Sequence, residues 1–310
     1  MNYSIIYGSN GQDGQILKNQ LRNRKFPIIN ITRKSIVIED IDRKELPNTY
    51  ESIKFLQNYQ IGYIYYFSAI SRSSQYKNED SIINQLESNF INFFKLTKIL
   101  ISANQYPKVF FASSSLVFEN SNQNIVNEKS IRNPISLYAK TKIMGEYFCE
   151  SLNETGIEAY TGILFNHESI YRQKDFLFPK IINSALKAKN EDQIIKLKMG
   201  NPNIKIDVGY APEFIELIQL LLDSGKPGTY IISTNTSITI REIIEYIKEI
   251  LKIEKNLVIE YDPNLLIRKR KDIVGNNTKL EKAIMKKPKI FKRKLLEKLC
   301  HDFSKSEKVY

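Results

Sequence analysis

Tyr3-Ser4-Ile5-Ile6-Tyr7-Gly8-Ser9-Asn10-Gly11-Gln12-Asp13-Gly14-Gln15-Ile16-Leu17 is the stretch on which the reading of this chain turns. Residues 3–7 hardly alternate between apolar and polar, which predicts a buried parallel strand. Glycines follow at once, and Ile16, Leu17 and Leu21 then recur at helical spacing, predicting an amphipathic helix packed on a sheet. The turn is spaced G-x-x-G-x-x-G between strand and helix. Small residues there let backbone N–H groups at a helix N-terminus approach a dinucleotide pyrophosphate. An ordinary glycine-rich loop is the alternative.

Further strands are predicted at 27–31, 35–38, 61–67, 108–112 and 158–165. Helices are predicted at 50–58, 80–103 and from Tyr138 to about Thr155, with Gly156 as the C-cap of the last. This strand–helix alternation implies an α/β, Rossmann-like doubly wound parallel sheet with ligands at the carboxyl ends of its strands. After residue 170 the pattern loosens into helices at 176–189, 212–223 and 239–252 and strands at 194–197, 229–232 and 257–260. We therefore expect a dinucleotide-binding domain over 1–170. A smaller α+β substrate lobe is expected over 171–310, with one strand and one helix returning to the sheet.

The second informative stretch is Tyr138-Ala139-Lys140-Thr141-Lys142. Lys142 lies one turn after Tyr138 on the same helix face. Its charge favours the phenolate of a tyrosine whose reference pKa is roughly 10, making Tyr138 a proton carrier for hydride chemistry. Ser113-Ser114-Ser115 ends a predicted strand beside the expected nicotinamide, and Ser114 is the candidate to hydrogen-bond a substrate oxygen. A serine triplet is also a simple strand-end turn. After the second strand stands Thr32-Arg33-Lys34-Ser35, where an enzyme using NAD carries an acidic residue for the ribose hydroxyls. Two cations and a hydroxyl suit a 2′-phosphate, so NADP is favoured over NAD; two solvated surface cations are the alternative. Asp40 is placed to touch the adenine, or is an exposed loop aspartate.

The chain has 310 residues, ordinary hydrophobic and charged fractions, and no apolar run long enough to span a bilayer. Its N-terminus enters a strand directly, without a leader-like segment, so a cytoplasmic setting is expected. Two cysteines, Cys149 and Cys300, and two histidines, His167 and His301, provide neither a disulfide framework nor a zinc site. Cys149 reads as core packing. The formal charge of +12 is concentrated near the C-terminus, in Arg268-Lys269-Arg270-Lys271, Lys286-Lys287 and Lys292-Arg293-Lys294. It reads as solvated charge in a Lys-rich composition, or as a basic rim attracting a nucleotide diphosphate. No nucleic-acid recognition motif accompanies it.

The chain resembles the extended short-chain dehydrogenases/reductases, and within them the GDP-mannose 4,6-dehydratase family. Gly8-Ser9-Asn10-Gly11-Gln12-Asp13-Gly14, Ile163-Leu164-Phe165-Asn166-His167-Glu168-Ser169, Met199-Gly200-Asn201 through Asp207-Val208-Gly209, and Ile240-Arg241-Glu242 carry the resemblance. It implies that Gly8, Gly11, Gln12, Asp13 and Gly14 meet the pyrophosphate and Arg33, with Lys34 beside it, the 2′-phosphate. Asp40 and Ile41 would lie near the adenine. Ser68, Ala69, Ser71, His167 and Arg172 would follow the cofactor, and Asn166, Lys180 and Arg241 would hold a sugar nucleotide. For His167, a satisfied loop histidine is the bland alternative. The resemblance also implies a homodimer or homotetramer and no membrane or nucleic-acid partner.

Departures from the family pattern shape the expected chemistry. Leu116 stands where the dehydratases place the glutamate that moves protons at C5 and C6, and Glu119, three residues on, is expected to point elsewhere. Ile206 replaces a phosphate-binding arginine, with Lys205 next door as a substitute; Arg72 replaces a histidine and Val208 a tryptophan. Tyr138, Lys142 and Ser114 suffice for hydride exchange at C4, but elimination needs a further acid/base. The expectation is an NADP-dependent 4-keto-reductase or dehydrogenase of a GDP-linked sugar. A dehydratase or epimerase recruiting Glu119 or Glu128, and a non-catalytic cofactor-binding paralogue, are the alternatives.

Overall fold

In the computed structural model, which describes residues 2–39, 43–70, 79–191, 193–253, 255–262, 265 and 272–306, β1 (Tyr3–Tyr7) feeds α1 (Gln12–Asn23) and then β2 (Ile28–Ile31). Three residues later the chain reverses into β3 (Ser35–Glu39), followed by β4 (Lys44–Pro47). The strand expected at 35–38 is present but antiparallel, a correction to a wholly parallel sheet. Its cause is local: Thr32 Oγ1 accepts the N–H groups of Lys34 and Ser35, closing a turn too short for a parallel crossover.

Next come α2 (Tyr50–Phe55) and β5 (Ile61–Tyr66). The single helix expected at 80–103 is two helices, α3 (Glu79–Leu86) and α4 (Asn92–Ser102), parted by a π-helical turn over Glu87–Ile91. Then follow β6 (Lys108–Ser114), β7 (Ile125–Val126), α5 (Leu137–Glu154), β8 (Ala159–Leu164), β9 (Asn166–Glu168) and α6 (Leu177–Glu191). Beyond them are β10 (Ile195–Met199), β11 (Lys205–Ile206), β12 (Val208–Tyr210), α7 (Ala211–Ser224), β13 (Gly228–Ile232), β14 (Ile238–Thr239) and α8 (Ile240–Leu251). The described chain closes with β15 (Leu257–Tyr261), β16 (Val274–Gly275), α9 (Thr278–Ile284) and α10 (Arg293–Ser306).

Eight strands form one sheet in the order β13-β8-β6-β5-β1-β2-β3-β4, parallel from β13 to β2. The chain builds outward in opposite directions from β1 and β5, so a crevice forms at their carboxyl ends. Strand alternation supplies two apolar faces. Ile5, Tyr7, Val109 and Phe111 pack with Phe93 and Leu96 of α4 and Cys149 of α5. Ile6, Phe110 and Ala112 pack with Ile16 and Leu17 of α1 and Phe214 and Ile218 of α7. A sheet buried on both faces explains why its strands read as continuous apolar runs.

A separate apolar cluster joins α6, α8 and α10 to β10 and β15. Leu295, Leu296, Leu299, Cys300 and Phe303 of α10 are buried in it at helical spacing. Part of the basic C-terminal stretch is the outer face of this packing, where Arg293 pairs with Glu249 and Glu297, while Lys286 pairs with Glu216 of α7. Arg268-Lys269-Arg270-Lys271 lies outside the described residues.

Candidate active site

The glycine turn is shaped by close backbone approach. Gly8 has φ +93°, and a Cβ on it would lie 2.7 Å from the Ser68 nitrogen. A Cβ on Gly14 would lie 2.6 Å from Ser9 Cα. Gly8 and Ser9 N–H both donate to Ile31 O, which seats the turn against the end of β2. Gly11 caps α1 without a side-chain bond, so the first N–H groups of that helix face the crevice at the positive end of its dipole. Ser9 Oγ is buried with no hydrogen-bond partner among the described residues. A backbone cradle with a spare hydroxyl fits a diphosphate.

Arg33 and Lys34 are exposed on the turn after β2, close in the fold to that cradle. Ser68 follows β5 and its hydroxyl meets Ser88 at 3.0 Å, while Ala69 is exposed. Asp40, Ile41, Ser71 and Arg72 lie outside the described residues.

Gln12 and Asp13 do something the motif did not announce. Gln12 Nε2 donates to His167 O at 3.0 Å, and Ser169 Oγ donates to Gln12 Oε1 at 3.0 Å. Asp13 Oδ1 meets His167 Nε2 at 2.9 Å. Their side chains thus bind the β9 segment, leaving their backbone N–H groups for the crevice. Burial opposes the Asp13 carboxylate, yet the charge and hydrogen bond of His167 hold its pKa below the ordinary value. Burial likewise opposes the His167 cation, and Asp13 outweighs it, raising the imidazole. Arg172 stacks on Phe176 with Cζ 4.0 Å from the ring centre, and its Nε lies 3.8 Å from Glu168. Arg172 Nε and Glu168 Oε2 are buried without hydrogen-bond partners among the described residues. Burial pushes the Glu168 carboxyl up to about 7, opposed by Arg172.

Tyr138 and Lys142 share one face of α5. Lys142 is 1% exposed, with Nζ 5.0 Å from the Phe111 ring centre and 5.7 Å from that of Tyr138. It makes no ion pair with any described residue, and burial pulls its pKa down to about 7, with Asp13 and Glu146 acting the other way. The helix start is built by capping: Ser136 Oγ accepts the Ala139 N–H. Behind Tyr138, Thr141 Oγ1 accepts from Asn89 Nδ2 at 2.9 Å, and Asn89 Oδ1 accepts the Ile70 N–H. Asn89 sits in the π-helical turn, so that irregularity aims a buried amide at α5. Sequence periodicity could not reveal it.

The serine triplet divides by strand alternation. Ser113 is buried and donates to Glu146 of α5, which also holds Arg132 at 3.0 Å. Ser114 ends β6 with its Oγ accepting the Leu116 N–H. Beside it, Leu116, Glu119, Asn166, Lys205 and Asp207 line one cavity. Glu119 was expected to point away; it lines this cavity, because a 3₁₀ turn over Ser115–Phe118 brings it round. Its Oε2 accepts from Ser136 N–H at 3.3 Å and Ser136 Oγ at 3.2 Å. The Glu128 carboxylate accepts the Ile231 N–H at 2.9 Å.

Asn166 donates to Asp207 O at 3.1 Å, and β9 pairs with β12, which brings Asn166 beside Lys205. Asp207 is wholly buried, with its carboxylate accepting from Thr234 and Gly275. Burial pushes its carboxyl up to about 6. Arg241 starts α8 and donates to Asn203 at 3.2 Å, lining a different groove from Asn166. Lys180 is exposed on α6. Cys149 and Cys300 are buried free thiols, and burial pushes both up to about 12. Among the described residues no helix is long and apolar enough to cross a membrane, and no cluster suits a metal ion.

The sequence profile of the GDP-mannose 4,6 dehydratase family matches residues 5–309. GDP-mannose 4,6 dehydratase 1 of Arabidopsis thaliana is 29% identical over 181 residues, covering 57% of this chain and 50% of that protein. The chain thus spans about half the length of that relative. GDP-mannose 4,6-dehydratase of Sinorhizobium fredii is 24% identical over 278 residues, covering 83% of this chain and 78% of that one. The structure of RMD from Pseudomonas aeruginosa complexed with NADPH superposes with a TM-score of 0.82 at 18% identity, covering 98% of this chain and 100% of that chain.

Proposed function

The chain belongs to the GDP-mannose 4,6-dehydratase family, and from that membership and its site we propose an NADP-dependent oxidoreductase acting at C4 of a GDP-linked sugar. The observation that carries this reading is Lys142, buried beside Tyr138 without an ion pair among the described residues. An unpaired buried ammonium destabilises a fold, and its retention under a tyrosine is accounted for by chemistry. The dinucleotide, when bound, supplies a nicotinamide carbon that accepts or donates a hydride. Gly8, Gly11 and Gly14 and the first N–H groups of α1 hold its diphosphate; Arg33 and Lys34 favour a 2′-phosphate over a bare ribose. Lys180, Lys205 and Arg241, in a lobe running from residue 171 onward, hold the sugar nucleotide together with Asn166 of β9. Tyr138 carries the proton of the C4 oxygen, Lys142 stabilises its phenolate, and Ser114 hydrogen-bonds the same oxygen.

Leu116 offers no proton acceptor over C5, which favours a reductase or dehydrogenase that stops short of elimination. Incubation with GDP-mannose and no added reductant is expected to leave the sugar unchanged at C6, whereas NADPH is consumed with a GDP-linked 4-keto sugar. Release of a 6-deoxy-4-keto product under the first condition overturns the reading. One observation favours a second reading, a dehydratase or epimerase: the Glu119 carboxylate lines the cavity beside Leu116. In that case Glu119→Gln abolishes elimination while Tyr138→Phe and Glu119→Gln both bind NADPH normally.

A further inference from the structure

His167 presents both ring nitrogens to acceptors. Nδ1 lies 2.7 Å from the Phe165 carbonyl, and Nε2 lies 2.9 Å from the Asp13 carboxylate. A neutral imidazole has one donor and cannot satisfy a carbonyl and a carboxylate together. We propose that His167 is held as an imidazolium that staples the first turn of α1 to β9, and that this staple keeps the α1 N-terminus receptive to a dinucleotide diphosphate. In this role it is a positioning residue that acts through Asp13. The second half of the claim rests on the proposed function; the first does not.

The electrostatic need is specific. Asp13 sits in the first turn of α1, where its carboxylate adds a negative charge beside the place of two phosphate charges. An imidazolium at 2.9 Å cancels that charge and turns the carboxylate toward β9. The other groups around the pair are Arg172 and Glu168 from the β9 segment, Lys142 of α5, whose charge is coupled to Asp13, and the Phe214 ring of α7, 5.3 Å from the imidazole. Gln12 and Ser169 complete the staple through neutral bonds. Because β9 starts at Asn166, the staple also connects the dinucleotide crevice to the cavity holding Asn166 and Lys205.

His167 is raised and Asp13 lowered in the folded chain, so the pair stabilises from above the ordinary aspartate range. That contribution disappears as pH rises through the raised histidine value. Two histidines make this directly visible. In ¹H–¹⁵N long-range spectra of the free protein across a pH series, we expect His167 to keep two protonated nitrogens beyond the ordinary histidine value of 6.5. A His167 that loses its second proton at or below that ordinary value overturns the staple whatever the protein binds.

The companion test titrates NADPH by its fluorescence. NADPH binding is expected to favour the imidazolium, so the wild-type affinity should fall by up to about tenfold per pH unit from the free-form His167 pKa to the higher bound-form one. Asp13→Asn should flatten this pH dependence and lower the His167 pKa. An unchanged pH profile in Asp13→Asn overturns the coupling. Should NADPH fail to bind at any pH, the functional reading fails, and the spectra still decide the ionisation of His167.

Discussion

Lys142 is the residue whose environment is hardest to explain by packing. Its pKa, drawn down to about 7 from an ordinary 10.5, means that the folded chain releases a proton that the unfolded chain keeps between those values. Stability therefore rises with pH across that window, because the unfolded state binds more protons there. Lys142→Met is expected to raise the melting temperature at pH 6–7, with the gain shrinking toward pH 10.5, while turnover falls about 10²-fold or more. Thermal melts over that pH range check the first part, and a flat difference between the two proteins would contradict it. Tyr138→Phe removes only a hydroxyl from a half-buried position. It should abolish turnover and change the unfolding free energy by no more than about 1.5 kcal/mol, the scale of one hydrogen bond.

At the scale of elements, the junction of α5 and β6 decides where Tyr138 and Lys142 stand. Gly145 faces Phe111, and a Cβ there would come within 2.6 Å of the ring edge. The same ring lies under Lys142 Nζ. Gly145→Ala should therefore destabilise the fold by about 1–3 kcal/mol through overpacking and reduce kcat by moving Lys142, read by denaturant unfolding and steady-state kinetics. The glycine turn gives a second case. Gly14→Ala drives a methyl group into the backbone of Gly8 and Ser9 at a buried position, so it should distort the turn and weaken NADPH binding as well as the fold.

For the whole molecule, the outer face of α4 and α5 is the surface that calls for a partner. Met144, Tyr147 and Phe148 recur at helical spacing on α5, and Phe148 packs edge-on or tilted against Phe90 and Phe94. Met144 is 41% and Tyr147 64% exposed. The homo-oligomer expected from the sequence would assemble through this face. Tyr147→Glu should lower the mass found by sedimentation; an unchanged monomeric mass for the parent chain would remove the proposal.

Apolar runs and glycine spacing were enough to locate the parallel strands, the α1 cradle and the Tyr138–Lys142 face, because each depends on neighbours within a few residues. The α10 helix was equally legible in Leu295, Leu296, Leu299 and Phe303, but its flanking cations drew the reading toward solvated charge. The reversal of β3 was written in Thr32 and Ser35, whose hydroxyl chemistry closes a turn that strand patterning does not detect. No local pattern could show that Gln12 and Asp13 bind a segment more than 150 residues away, or that Glu119 swings beside Leu116.

Sequence by itself determined the sheet, the glycine turn and the tyrosine–lysine pair, since periodicity and steric demand act along the chain. Tertiary structure alone decided which of those side chains are charged and where they point. Burial and long-range hydrogen bonds set the ionisation of Lys142, His167 and Glu168, and those fields exist only once distant elements have packed together.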